Sequence, residues 1–93
     1  MPDDNPLEQF RKFAGINEAW ELRKTGLIVI RDNIYRLELW HSYSDPDIPY
    51  YVSVSVSEND VWKRLPDPPF TAAPDGDEAF RRAMLFMSER FAA

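Results

Sequence analysis

The chain has 93 residues, a formal net charge of −5 and no cysteine, and 44% of its residues are hydrophobic. These values predict one folded domain over residues 1–93, and the lack of cysteine excludes disulfide bonds and thiolate metal sites. No apolar run approaches the roughly 18 residues of a membrane-spanning helix.

The acidic start of the chain, residues 1–5, lacks the basic-then-apolar form of a signal peptide. We therefore expect this start to be flexible and the protein to be cytoplasmic, with no membrane contact. No sequence motif indicates a cofactor or a metal, so we predict neither.

Two short helices are predicted near the N-terminus. Asn5 and Pro6 have the residue types of a helix cap and a first helical position, so a first helix should run to about Ala14 and end at Gly15. A second should cover residues 18–24. This second segment also fits a strand, because its apolar side chains, Trp20 and Leu22, alternate.

The residue pattern over 27–65 predicts an antiparallel β-meander. Its first hairpin joins residues 27–31 to residues 34–43, with Asp32 and Asn33 as the two-residue loop, since both types tolerate a positive φ. This loop would place Ile28 opposite Leu37. One apolar face then follows, formed by Ile28, Ile30, Tyr35, Leu37 and Leu39.

The next strand alternates strictly over residues 50–57, with tyrosine and valines toward the core and serines toward solvent. Turn residues at 58–60 lead to a short fourth strand, Val61 to Leu65, which ends before Pro66.

The last predicted element is a helix over residues 75–91. Asp75 is its expected cap, with Glu78 three residues later. Its predicted core stripe is Ala79, Phe80, Ala83, Met84, Met87 and Phe91. The fold class is thus α+β: a three- to four-stranded antiparallel meander packed by a C-terminal helix, with one or two short N-terminal helices.

Candidate binding residues gather at the end of the sheet where the loops after the second and fourth strands begin. They are Trp40, His41, Tyr43, Asp45, Asp47, Tyr51 and Asp67. The carboxylates and aromatic rings suit a basic protein surface. Ordinary loop composition is the simpler explanation of the aspartates, because proline and aspartate are common turn residues. His41 with Asp45 or Asp47 could perform acid–base chemistry, although a strand-end histidine is more often structural.

The outward face of the sheet is a second candidate surface. It carries Leu27, Val29, Ile34 and Trp40, which form an apolar patch on a face expected to meet solvent. Either the N-terminal helix covers this patch, or the patch is an interface with another protein or with a second copy of the chain.

Two family resemblances complete the analysis. The predicted order of helix, three strands and helix resembles double-stranded-RNA-binding domains. That family has lysines at the start of its last helix, where this chain has Pro74-Asp75-Gly76-Asp77-Glu78, which would repel phosphate. Pro66-Asp67-Pro68-Pro69, Thr71 and Glu78-Ala79 resemble a segment of HicB-type antitoxins, with a slightly different spacing from proline to helix.

We therefore predict a small acidic protein-binding module without enzymatic activity, such as an inhibitor, an antitoxin or an immunity-type protein. Its partner should be a protein with a basic surface. The alternative is a nucleic-acid-binding or regulatory domain of winged or double-stranded-RNA-binding type, and the charge of −5 disfavours nucleic-acid binding. A small enzyme that uses His41 is the third interpretation.

Overall fold

The structure is a computed structural model that describes residues 5–47, 49–65, 73 and 75–92. Four strands form one antiparallel sheet in the order β1-β2-β3-β4. The strands are β1 (Trp20–Ile30), β2 (Asn33–Ser42), β3 (Tyr50–Glu58) and β4 (Val61–Arg64), and one helix follows them, α1 (Gly76–Phe91). The predicted four-stranded meander and its C-terminal helix are thus confirmed.

Helix α1 packs across β2 and β3, and we call the face of the sheet that it covers the inner face. The largest fully buried side chains lie between these layers: Leu37, Val52, Val54 and Met87. The helix begins as the sequence predicts, because the Asp75 carboxylate accepts a hydrogen bond of 2.8 Å from the backbone N–H of Glu78.

The predicted core stripe of α1 is correct in part. Ala79 and Ala83 are fully buried, and their small side chains let the helix lie close to the sheet. Phe80 and Phe91 are half-buried against this core. Met84 is exposed, contrary to the prediction, because the helix presents its narrow alanine stripe to the sheet and turns position 84 away.

The first hairpin turn lies one residue earlier than predicted. The loop is Arg31 and Asp32, which adopt φ values of 49° and 71°, and Asn33 is already the first residue of β2. Ile28 therefore pairs with Tyr35 rather than with Leu37. The predicted apolar face survives this error, because moving a two-residue loop by one position changes the pairing by two residues and keeps every side chain on its face.

Gly26 lies under α1 in this register. It pairs with Leu37, and a side chain at Gly26 would meet the Phe80 ring at 3.1 Å. The missing side chain therefore leaves room for Phe80 of α1. Arg31, now in the turn, donates a hydrogen bond of 3.0 Å to the carbonyl oxygen of Ala92 just after α1.

The predicted N-terminal helices are wrong. The first is only a single 3-10 turn, Phe10–Lys12, flanked by looser turns. A nine-residue segment is too short to be a stable α-helix without tertiary contacts. The second is part of strand β1, which begins at Trp20, so the alternation of Trp20 and Leu22 was the better guide.

Candidate protein-binding surface

The outer face is the face of the sheet opposite α1. Its exposed apolar side chains are Trp20, Leu22, Leu27, Val29, Ile34 and Trp62. Leu27 and Val29 are 62% and 67% exposed, so no described residue covers this part of the face. Of the two interpretations drawn from the sequence, coverage by an N-terminal helix therefore fails.

Large side chains of the outer face lie over its serines. Ser53 and Ser55 are buried, although the alternation of β3 predicted that they would meet solvent. The indole Nε1 of Trp40 donates a hydrogen bond of 3.2 Å to Ser53 Oγ. The Arg36 guanidinium lies 4.5 Å from the centre of the Trp62 ring, a cation–π contact. The outer face therefore carries its own layer of aromatic and arginine side chains.

Three aromatic residues of this layer form a pocket of about 320 Å³, lined by Trp20, Trp40 and Tyr51. The register creates it, because Trp40 pairs with Tyr51 on β3 and Trp20 lies at the start of β1. The rings of Trp20 and Tyr51 are 5.6 Å apart and meet edge to face at 76°. Both rings line the pocket.

Two carboxylates and an arginine bond to the residues of this aromatic pocket or to their neighbours. Glu18 accepts a hydrogen bond of 3.4 Å from the Trp20 indole. Glu38 accepts one of 3.5 Å from the Ser53 hydroxyl that also bonds Trp40. The Arg64 guanidinium donates to the Tyr51 hydroxyl and lies 5.8 Å from the centre of its ring. The two tryptophans are thus linked to carboxylates and the tyrosine to a cation.

A separate polar cluster occupies the inner-face side of the same end of the sheet. The Tyr43 hydroxyl donates to Glu21 Oε1 at 2.8 Å and accepts from Arg23 Nη2 at 3.1 Å and from Asn5 Nδ2 at 2.9 Å. A β-bulge between Leu22 and Lys24 carries Arg23 toward this side. The cluster therefore joins the N-terminal segment to β1.

His41 belongs to this polar cluster. Its Nδ1 accepts a hydrogen bond of 3.2 Å from Arg23 Nη2, since arginine can only donate. Its ring also contacts the rings of Tyr43 and Tyr50, at 4.5 and 4.8 Å between centroids. Burial, and then the charge of Arg23, lower the pKa of His41, so the imidazole is neutral at pH 7.

The aspartates do not join His41. Asp45 uses Oδ1 to accept the backbone N–H of Asp47 at 3.0 Å, which closes a local turn, and no described hydrogen bond connects either aspartate with the histidine. Asp67 lies outside the described residues. Of the predicted binding residues, Trp40 and Tyr51 therefore lie on the outer face, His41 and Tyr43 belong to the polar cluster, and Asp45 and Asp47 join neither.

Asp75, Gly76 and Glu78 line a larger cleft of about 660 Å³ beside the start of α1, together with Arg23 and Lys24. Two of the carboxylates that line it already have partners. Asp75 caps the helix, and Glu78 bonds Arg81 and Arg82. The hydrogen bonds from the two arginines lower the pKa of Glu78 to about 2.

Within the part of the chain that the structure describes, no three histidine or carboxylate side chains lie close enough together to hold a metal ion. The same residues include no helix that is both long and apolar enough to cross a membrane. Comparisons of the chain with protein-family models, curated proteins and solved structures found no match.

Sequence reasoning missed several residues of both sites. Trp20, Glu21 and Arg23 were assigned to a helix, so their places in the aromatic pocket and the polar cluster could not be derived. Trp62 and Arg64 were on a predicted strand, but the face they occupy depends on the register with β3. The alternation of Trp20 and Leu22 was the signal that could have placed the first of these residues.

Proposed function

We propose that this protein is a non-enzymatic binding module that recognises a basic protein through its outer face, with a lysine or arginine of that partner in the aromatic pocket. The observation that carries this proposal is the pocket between Trp20, Trp40 and Tyr51. An inhibitor, an antitoxin or an immunity-type protein would act in this way.

The residue types of the outer face support protein binding. Tryptophan, tyrosine and arginine are the side chains that most often dominate the binding energy of protein interfaces. In the pocket, Trp40 is held in place before any partner arrives by its hydrogen bond to Ser53. Such preorganisation lowers the entropic cost of binding.

The aromatic pocket suits a cationic side chain in particular. A lysine or arginine is attracted to the faces of tryptophan and tyrosine rings, by about 0.5–2 kcal/mol depending on desolvation. The carboxylates of Glu18 and Glu38 add attraction at the two tryptophans. The net charge of −5 favours long-range approach of a basic partner. Asp45 and Asp47 would add to this attraction from the loop before β3.

Binding of single-stranded nucleic acid is the second candidate, because Arg36 and Arg64 lie among aromatic rings on the outer face. That mode needs ring faces on which bases can stack. The Trp62 face is already occupied by Arg36. The carboxylates beside the pocket would also repel phosphate. We therefore favour the protein partner.

Affinity capture with two matched variants tests the proposal. Trp20→Ala removes one wall of the aromatic pocket, whereas Trp62→Ala removes a tryptophan of equal exposure, 39% against 38%, that does not line it. Trp20→Ala should weaken partner binding by about 2 kcal/mol or more, and Trp62→Ala should change it much less. A thermal melt of each variant confirms that it is folded.

Isolated probes then identify the chemistry of the ligand. A short lysine-rich peptide should quench or shift tryptophan fluorescence in the wild type and not in Trp20→Ala, while an acidic peptide of equal length should have no effect. Capture that is abolished by nuclease, or fluorescence that responds only to single-stranded oligonucleotide, would instead support the second candidate. Equal capture by both variants would contradict the aromatic pocket.

A further inference from the structure

Strand β1 forms one edge of the sheet. It pairs with β2 on one side, and no described residue pairs with it on the other side. Its two halves differ. The first half contains the bulge between Leu22 and Lys24 and the charges of Glu21 and Arg23, which are devices that prevent edge pairing. Residues 25–30 contain no bulge, no proline and no charge. This half of the edge is open.

The other edge of the sheet is protected throughout. Strand β4 has only four residues, of which Lys63 and Arg64 are charged. Short, charged strands resist pairing with another chain. The contrast between the two edges singles out residues 25–30 as the segment to which a further strand can be added.

We propose that two copies of this chain pair antiparallel through residues 25–30 of β1, which makes one continuous eight-stranded sheet. This proposal concerns the edge of the sheet and does not rest on the function proposed for the outer face.

A self-complementary register supports the second copy as the occupant. With the two-fold axis at Ile28, Leu27 lies opposite Val29 of the second copy, and Val29 lies opposite its Leu27. These two side chains are the most exposed large apolar groups of the outer face, and each would cover the other. At each end of this contact Lys24 comes near the hairpin turn of the second copy, which carries Arg31 and Asp32. The Arg31 guanidinium bonds the Ala92 carbonyl oxygen, so Asp32 is the turn charge that faces Lys24.

The position of α1 adds a second reason. The helix covers β2 and β3, so Ile28 and Ile30 on the inner face of β1 are only half-buried. Pairing would set Ile28 against Ile28 of the second copy and bury both. The two-fold axis of this dimer is perpendicular to the sheet. The two helices therefore lie on the same side of the eight-stranded sheet, and the two outer faces lie next to each other on the opposite side.

Backbone geometry makes a specific cross-link available. In a two-residue hairpin the residues that flank the loop, here Ile30 and Asn33, form a backbone hydrogen-bonded pair. Hydrogen-bonded pairs recur at every second residue, so Ile28 also directs its backbone N–H and C=O groups toward β2. Leu27 and Val29 then direct their backbone groups to the open edge, and Ile28 meets its copy as a non-hydrogen-bonded pair. Such pairs have Cα atoms about 4.5 Å apart, within the range of a disulfide.

Single cysteine variants test the register, because the natural chain has no cysteine. Under mild oxidation Ile28→Cys should form a disulfide-linked dimer at least about tenfold faster than Val61→Cys, which places the thiol on the protected edge strand β4. Equal rates of cross-linking at the two positions would overturn the proposed register.

Sedimentation equilibrium of the full chain tests the dimer itself. The wild type should dimerise, and Val29→Lys should weaken dimerisation by about tenfold or more, since a lysine on an edge strand opposes pairing. Val61→Lys is the matched control, because Val29 and Val61 are 67% and 64% exposed valines on opposite edge strands. A wild type that is monomeric at high concentration, or a dimer that Val29→Lys leaves intact, would overturn the proposal.

Discussion

The two faces of the sheet exclude water from the same strands in different ways. On the inner face, α1 covers Leu37, Val52 and Val54 with a second layer of the protein. On the outer face, the buried Ser53 and Ser55 are covered by long side chains of the sheet itself. The first arrangement is a hydrophobic core, and the second leaves its aromatic layer in contact with solvent.

This difference separates stability from binding. Residues of the inner face make their contacts within the chain, so changes there should act on folding. Residues of the outer face expose one side of each large side chain, so that side remains available to a partner. Substitutions on the inner face should therefore change stability, and substitutions on the outer face should change binding.

The largest difference should appear between two leucines. Leu37 is fully buried on the inner face, and Leu27 is 62% exposed on the outer face. Leu37→Ala should lower the free energy of unfolding by about 2–5 kcal/mol, because it leaves a cavity under α1. Leu27→Ala should change it by no more than about 0.5 kcal/mol. Urea unfolding of both variants gives the comparison. Similar losses for the two would mean that a further part of the molecule covers the outer face.

The next effect should come from the hydrogen bond that fixes the aromatic layer. Ser53→Ala removes the acceptor of the Trp40 indole N–H, which should cost about 1 kcal/mol of stability. Ser88→Ala, on the exposed side of α1, is the control. The Trp40 fluorescence should also broaden or shift in Ser53→Ala, since the ring loses its orientation. No change in either signal would show that the layer is held by packing alone.

Local patterns were sufficient to predict most of the fold. Alternation placed Tyr35, Leu37 and Leu39 on the inner face, and the residue types at Asp75 and Glu78 predicted where α1 begins. These features depend on neighbours in the sequence, and so the sequence shows them. The first N-terminal helix failed for the converse reason, because a short segment follows its tertiary contacts rather than its own preference.

The remaining features depend on contacts between distant residues. Phe80 approaches Gly26 closely although the two are 54 positions apart in the sequence, so this contact is invisible to a local pattern. The aromatic pocket needs the register of β1, β2 and β3 together. Trp40 and Tyr51 could be predicted because they lie on clearly alternating strands. Trp20 could not, because the predicted first strand began at Leu27 and β1 begins at Trp20.

Two glycine substitutions test the register that assigns residues to the two faces. Asp32 has a φ of 71°, which glycine adopts without strain, so Asp32→Gly should be neutral or stabilise the protein by up to about 1 kcal/mol. Asn33 lies in strand β2, so Asn33→Gly should destabilise it by about 0.5–1 kcal/mol. Thermal melts of the two variants measure the difference. If Asn33→Gly were the more stable variant, the loop would consist of Asp32 and Asn33.

The smallest effect on stability should come from the exposed side of α1, which contacts neither face of the sheet. Hydrogen bonds from Arg81 and then Arg82 lower the pKa of Glu78 to about 2, against 4.5 for an ordinary glutamate. A carboxyl group with a lower pKa in the folded state stabilises the protein fully above the unfolded value and loses that contribution as the pH falls toward 2. Wild type should therefore lose more stability than Glu78→Gln between pH 4.5 and pH 2. Glu89→Gln, also exposed on α1, controls for the removal of one charge. If acid unfolding of Glu78→Gln followed the wild-type curve, these ion pairs would contribute nothing, as is common for solvent-exposed pairs.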